Sequence, residues 1–234
     1  MGFAIHRASA YAWGVIVDAV VVAGGRSERF GKDKLLADLC GKPVLAWSLL
    51  AMREAASVAR VIVVVPDPDD TSYRERVAGG LDGLELDWVL GGSRRRDSVE
   101  AGLRRAASRY VAIHDGARPL ATAALVDRVV AAAEGRPGAI AAMPVTDTIK
   151  VVRDGTIVEH PDRGRLWAAQ TPQVVLRQAW LDAAAASDDD ETDDAAMLAR
   201  LGLECAVVEA TAGNIKVTRP LDLVLARALL AERG

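Results

Sequence analysis

The sequence predicts an α/β chain with a three-layer, Rossmann-like architecture. It would have a mainly parallel sheet, helices on both faces and a protruding β-hairpin arm. Strand-like apolar runs alternate with helix-length amphipathic segments as far as Ala142, and βαβα alternation implies parallel strands covered by helices. Three glycine-rich or charged segments, Gly24–Lys34, Gly91–Ser98 and His114–Pro119, each follow a predicted strand. In such sheets ligands bind at the carboxyl ends of the strands. After Met143 the rhythm changes, and Val145–His160 reads as two short strands around Asp154-Gly155.

In chain order, Asp18–Ala23 is a short β-branched run that reads as a buried strand. Pro43 suits the first residue of a helix running to Ala56. Val58–Val65 is a near-continuous apolar run stopped by Pro66, the pattern of a buried parallel strand. Thr71–Ala78 is a short helix and Glu85–Leu90 a strand leading into Gly91-Gly92. Ser93 is a candidate cap for a helix ending at Ala107. Tyr110–Ile113 is a strand leading into His114-Asp115, Ala121–Glu134 a helix and Gly138–Ala142 a strand. Beyond the arm, Leu176–Ala186 is helical. The acidic run Ser187–Asp194 reads as a solvated loop and helix start, where carboxylates favour the positive end of the helix dipole. Cys205–Glu209 is a strand and Pro220–Ala231 a closing helix.

Composition narrows the function classes. A 51% hydrophobic fraction in 234 residues supports a substantial core. A net charge of −3 supplies no general attraction to nucleic acid or membranes. Apolar runs stay below the roughly 18 residues of a membrane span. Cys40 and Cys205, the only cysteines, are far apart, which argues against a zinc site or a disulfide scaffold. Residues 1–17 lack the layout of a signal peptide. They read as an N-terminal extension to a domain over 18–234, with an arm at about 145–165, and a cytoplasmic location is expected.

The chemistry concentrates in Asp18–Leu36, DAVVVAGGRSERFGKDKLL. Gly24-Gly25 permits backbone angles and approaches that a Cβ would block. Arg26, Arg29, Lys32 and Lys34 follow, so a buried strand delivers an amide-rich, cationic loop suited to a polyphosphate. The plain alternative is a basic surface turn. Neither GxxxxGK[ST] nor GxGxxG fits here. In Gly92-Ser93-Arg94-Arg95-Arg96 three arginines sit at the positive end of a helix, an electrostatic conflict that points to an anionic ligand nearby.

The loop AGGxSxRFGxxK resembles that of the sugar-phosphate nucleotidyltransferases. Further segments sharpen the resemblance: GGSRRRDSV at Gly91–Val99, HDGARP at His114–Pro119, DTIK at Asp147–Lys150, DRGRLWAAQTPQ at Asp162–Gln173, TDDA at Thr192–Ala195 and GNIKVTRPLDL at Gly213–Leu223. Together they resemble the 2-C-methyl-D-erythritol 4-phosphate cytidylyltransferase family of the non-mevalonate isoprenoid pathway, across Ala23 to Leu223. Ser27 departs from the family's second loop glycine, Asp33 from its proline and Gly116 from its alanine.

That resemblance implies transfer of CMP from CTP to a polyol phosphate. It assigns Ala23, Gly24, Gly25, Arg26, Ser27, Gly92, Ser93, Arg95, Ser98, Asp115, Gly116 and Arg118 to the CTP side, and Thr148, Thr171 and Thr192 to the acceptor side. Arg29, Lys34, Arg163 and Lys216 would carry catalysis. Lys32 rivals Lys34, which is preferred because Leu35-Leu36 follows it as in the family. Ser98 would help read cytosine and Asp115 would lie by the ribose or a divalent metal, with Mg2+ arriving on the triphosphate. A homodimer clasped through the arm is implied, with Arg163 reaching the neighbour's site. Three other readings stand beside this one. A pentitol-phosphate (ribitol 5-phosphate) cytidylyltransferase shares the segments. A molybdopterin guanylyltransferase shares the first loop but not DTIK or NIKVT. A non-catalytic nucleotide-sensing module would have little use for Arg163 and Lys216.

Overall fold

The computed structural model describes residues 14–24, 33–79, 81 and 85–233. The described chain runs through β1 (Val17–Val22), β2 (Asp38–Leu39), β3 (Lys42–Pro43), α1 (Val44–Glu54), β4 (Val58–Val65), α2 (Thr71–Ala78), β5 (Asp87–Leu90) and α3 (Arg95–Arg105). It continues through β6 (Tyr110–Asp115), α4 (Ala123–Ala133), β7 (Gly138–Pro144), β8 (Val151–Arg153), β9 (Thr156–Glu159) and β10 (Trp167–Leu176). It ends with α5 (Arg177–Ala186), α6 (Asp194–Ala199), β11 (Ala206–Glu209) and α7 (Pro220–Ala231).

The central sheet has the order β11-β7-β10-β6-β1-β4-β5. β1, β4, β5 and β6 pair in parallel, as do β7 and β11, while β10 runs antiparallel to both β6 and β7. The strand period of two divides the core. Ala19, Val21, Val63 and Ala112 face Leu45 and Leu49 of α1 and Val126 and Val129 of α4. Val20, Ile62, Val64, Val111 and Ile113 face Val99 and Leu103 of α3 and Trp180, Met197 and Leu198 of α5 and α6. Both faces are covered, which is why these strands read as continuous apolar runs.

Local chemistry sets the element ends. Asp70 accepts from Tyr73 N–H at the start of α2, and Thr122 accepts from Leu125 N–H at the start of α4. Pro220 opens α7. Asp18, buried in β1, accepts from Ala107 N–H, Ser108 N–H and Arg60. Burial pushes that carboxyl up, but these donors outweigh it and hold its pKa below the usual range. At the tip of the β8–β9 hairpin, Asp154 (φ 50°) and Gly155 (φ 76°) take left-handed backbone, as expected of a two-residue hairpin turn.

The structure departs from the sequence reading at three places. Ser93 does not cap α3; Arg94 occupies that position, with its N–H bonded to Asp97 Oδ2, and the Ser93 hydroxyl donates to the same oxygen. The carboxylate at the third helical position serves as the cap and leaves Ser93 redundant. β10 and the small β2–β3 hairpin, which turns at Cys40 (φ 51°) and Gly41 (φ 82°), were not anticipated. The acidic run is a loop and helix start, but Asp194 within it is 1% exposed.

Candidate active site

β1 is the topological switch point: β4 and β5 lie on one side, β6 on the other. A crevice at the carboxyl ends is expected there. A cavity of about 480 Å³ occupies that place, within the size range of small-molecule clefts. Its lining brings together Ala23 and Gly24 after β1, Lys34, Pro66 after β4, Gly92, Ser93 and Arg95 after β5, Asp115 ending β6, and Lys216.

Each wall is fixed by packing or hydrogen bonds. Lys34 opens a single 3-10 turn over 34–36, where Asp33 accepts from Leu35 N–H and the Leu35 side chain is buried in the core. The Gly91–Ser98 wall closes on itself: Gly92 N–H donates to Ser98 Oγ (3.2 Å), and Gly91 N–H donates to Val65 O (2.8 Å). A Cβ on Gly92 would stand 2.3 Å from Asp97 Cβ, so only glycine fits that turn as built.

At the end of β6, Asp115 faces three cations. Arg95 Nε lies 3.4 Å from Oδ1, while Lys216 Nζ and Arg118 Nε lie 2.8 and 3.8 Å from Oδ2. Burial pushes the Asp115 carboxyl up, but Arg95, Lys216 and Arg118 more than offset it, so the group stays ionised well below the usual carboxylate range. Arg95 also grips Asp194 with Nη2 at 2.8 Å and Nη1 at 3.3 Å.

Behind Asp115 lies a buried chain of hydrogen bonds. His114 Nε2 faces Arg118 O at 3.2 Å, and a carbonyl can only accept, so that nitrogen carries the proton. Nδ1 then accepts from Thr171 Oγ1 (3.0 Å), which itself accepts from Asp115 N–H (3.0 Å). Burial lowers the His114 pKa to about 4, keeping the ring neutral.

The structure thus gathers Ala23, Gly24, Lys34, Gly92, Ser93, Arg95, Ser98, Asp115 and Lys216 at one cavity. Gly116 and Arg118 sit directly behind it: Ser48 donates to Gly116 O, and Arg118 Nη1 donates to Asn214 O. Thr171 is buried with its hydroxyl engaged at both ends. Thr192 is exposed in the turn before α6, whereas Thr148 and Arg163 lie on the exposed arm, where Arg163 Nη1 donates to Thr146 O (2.8 Å). Gly25, Arg26, Ser27, Arg29 and Lys32 lie outside the described residues. Each of the three consecutive arginines has partners within the chain. Arg94 pairs with Asp97 and Asp188, Arg95 with Asp115 and Asp194, and Arg96 donates to backbone carbonyls. Sequence reasoning missed Asp194 as a partner of Arg95. Its place in the TDDA segment was the available signal.

A mainly parallel sheet with a cationic, glycine-walled cleft at its switch point fits a nucleotidyltransferase. The model of the family described as "IspD: 2-C-methyl-D-erythritol 4-phosphate cytidylyltransferase" matches residues 17–232, and the chain belongs to that family. It is 45% identical over 224 residues to the 2-C-methyl-D-erythritol 4-phosphate cytidylyltransferase of Prochlorococcus marinus, covering 92% of this chain and 98% of that relative. It is 43% identical over 223 residues to that of Synechococcus elongatus, covering 92% and 96%. The crystal structure of the Thermus thermophilus cytidylyltransferase superposes with a TM-score of 0.77 at 30% identity, covering 93% of this chain and all of that one.

Proposed function

We propose that this chain transfers CMP from CTP to 2-C-methyl-D-erythritol 4-phosphate, releasing pyrophosphate, in isoprenoid precursor synthesis. The observation that carries this reading is the convergence of Lys34, Ser98, Arg95, Asp115 and Lys216, from separate segments, on one cavity at the switch point. An acceptor phosphate oxygen attacks the α-phosphorus of CTP in line. A P–O bond forms there as the bond to the bridging β-phosphate oxygen breaks, and pyrophosphate leaves with the electron pair. A phosphate monoester is nucleophilic without a strong base, so the barrier lies in bringing two anions together. Catalysis then rests on positioning and charge neutralisation.

In this reading Lys34, with Arg29, neutralises charge growing on the α-phosphate and the leaving group. The Gly92 backbone and Ser98 read the cytosine edge. Lys216, held by Asp115, meets the acceptor phosphate from this chain's side with Thr192. Thr171 acts indirectly, since its hydroxyl already bridges His114 and Asp115.

Magnesium, when bound, would shield the triphosphate charge. The described residues hold no cluster of three metal-ligating side chains, and Asp115 is the one carboxylate among those lining the cavity. With both its oxygens facing cations, Asp115 suits an ion that arrives on CTP better than one caged by the protein.

We further propose a homodimer. β8 and β9 pair only with each other among the described residues, and Val151, Val152, Ile157 and Val158 are all exposed. A lone two-stranded hairpin is marginal in water, so a second copy of the arm is the partner we infer. Arg163 and Thr148 would then serve the neighbour's cavity. The proposed compartment is the cytoplasm, in keeping with Cys40 and Cys205 as free thiols.

The deciding experiment is a coupled pyrophosphate-release assay with each of the four nucleoside triphosphates against 2-C-methyl-D-erythritol 4-phosphate and ribitol 5-phosphate. Turnover with CTP and the first acceptor is expected. Preference for ribitol 5-phosphate would reassign the acceptor, and no turnover with either would leave a nucleotide-sensing module.

A further inference from the structure

Arg96 has no part in the site described above, yet it is 5% exposed on a helix that starts at the cavity. A buried guanidinium is costly unless its donors are matched. Here Nη1 and Nη2 are matched by main-chain carbonyls of one segment, while Nε, 4.0 Å from Asp97 Oδ1, has no hydrogen-bond partner. Nη2 donates to Ala184 O (2.8 Å), and Nη1 donates to Ser187 O (2.7 Å) and Asp189 O (2.8 Å). The last carbonyls of a helix lack intrahelical partners and carry its negative dipole end. Arg96 therefore ties down the end of α5 and the first turn of the acidic loop from within.

The flanking arginines reach other points of the same segment. Arg94 Nη2 donates to Asp188 Oδ1 (2.8 Å), and Arg95 holds Asp194. From the outer side Arg200 pairs with Asp189 and Glu191. The run Ser187–Glu191 is thus strapped to the Gly91–Ser98 wall, and its next residue is Thr192. Arg96 is the most buried of these arginines; Arg95 is partly exposed but holds the buried Asp194, whereas the Arg94–Asp188 and Arg200–Asp189 pairs are solvent-exposed and contribute little to holding a loop.

We propose that Arg96 is a positioning residue, which sets the acceptor-side turn at Thr192 relative to the nucleotide-side wall at Gly91–Ser98. This rests on the proposed cytidylyltransferase reading. The nucleotide side keeps its own anchors without Arg96, through Gly91 N–H on Val65 O and Ser98 on Gly92. On the far side of Thr192, Asp193 and Asp194 are held by Gln173 and Arg95, so what Arg96 governs is the approach to that turn through Ser187–Glu191. A lysine cannot replace Arg96, because one ammonium lacks the planar fork that serves three carbonyls at once.

Steady-state kinetics of full-length Arg96→Lys and Arg96→Ala, with each substrate varied, test the proposal. The acceptor KM should rise about tenfold, the scale of one lost charge-assisted hydrogen bond, while the CTP KM stays within about twofold. Guanidinium chloride at tens of millimolar should restore the acceptor KM of Arg96→Ala, and equal sodium chloride should not. Parallel changes in both KM values, or a lower Tm with neither KM moved, would overturn the proposal. A substrate-free readout separates it from the functional reading: amide hydrogen exchange across residues 187–192 should accelerate in Arg96→Lys. Unchanged protection there sinks the strap whatever the enzyme turns over. Absence of CTP-dependent turnover by the unmodified protein sinks the functional reading alone.

Discussion

Lys216 Nζ lies 2.8 Å from Asp115 Oδ2, and the same carboxylate faces Arg95 Nε at 3.4 Å through its other oxygen. One buried anion therefore spaces a cation from the Gly91–Ser98 wall and a cation from the segment between β11 and α7. Asp115→Asn removes that spacing while keeping the shape. Its kcat/KM should fall roughly 100-fold, the effect of misplacing a reactive group by about an ångström. Initial rates with both substrates varied check this, and the loss should exceed that of Asp194→Asn, which leaves Lys216 anchored.

Lys34 sits in the cavity wall because Leu35 beside it is buried. Lys34→Ala should lower kcat by roughly two to three orders of magnitude, the scale of one lost electrostatic stabiliser. Lys32→Ala should do far less. Single-turnover rates compare the two, and a more damaged Lys32 variant would reverse the assignment.

Ser98 Oγ accepts from Gly92 N–H and stands against the wall proposed to read the base. A site matched to donor and acceptor rejects a mismatched analogue strongly. The CTP to UTP ratio of kcat/KM should be large, and Ser98→Ala should narrow it, chiefly through the CTP arm. Competition assays with both nucleotides measure this, and equal use of CTP and ATP by the unmodified protein would defeat the base-reading role.

Arg163 does not line this chain's own cavity and lies exposed on the arm, with its guanidinium on Thr146 O. If each site draws Lys34 from one chain and Arg163 from the other, the mixed dimer of inactive Lys34→Ala and Arg163→Ala has one intact site. Random exchange makes half the dimers mixed, so about a quarter of full activity should return. Sedimentation tests whether the dimer forms. No recovery on mixing would place both residues in one chain.

His114 gives a pH-dependence of stability with a definite sign. Its pKa falls from 6.5 when unfolded to about 4 when folded, because burial disfavours the charged ring. The unfolded chain therefore binds more protons in that window. The stability contribution is full above about pH 6.5 and lost as pH falls toward 4. Between pH 6.5 and 5 this amounts to about 2 kcal/mol. Urea unfolding should show that loss in the unmodified protein and a shallower slope in His114→Gln.

The parts legible in sequence were those where burial and apolarity coincide. β4 and α2 fall at their expected limits, and α7 likewise. β10 was not legible because polar residues interrupt its buried stretch, leaving only Val174 and Val175 as a short apolar run. Gln170, Thr171 and Gln173 lie inside, satisfied by Asn214, by His114 and by the Asp194 and Ala195 N–H groups. A hydrophobic period cannot detect residues whose burial depends on partners distant in the chain. Asp194 was hidden in the same way. In an acidic run it looks solvated, and only the fold sets Arg95 and the Trp180 indole beside it. The motifs located the cavity well, but not the division of labour among Arg94, Arg95 and Arg96.

The antiparallel strand β10 has a further consequence for how the chain is made. β6, β1, β4 and β5 are joined through crossovers of neighbouring segments, so they can assemble as the chain emerges. β7 does not pair with β6; β10 is the strand that bridges them. Until residue 176 has been synthesised, β6 offers an unpaired edge whose residues are all destined for the interior. Such an edge invites pairing with other chains, and closing it requires a contact of long sequence separation, which is slow to form. Nascent-chain aggregation should therefore be most acute for fragments that end between β6 and β10, and it should fall away once β10 docks.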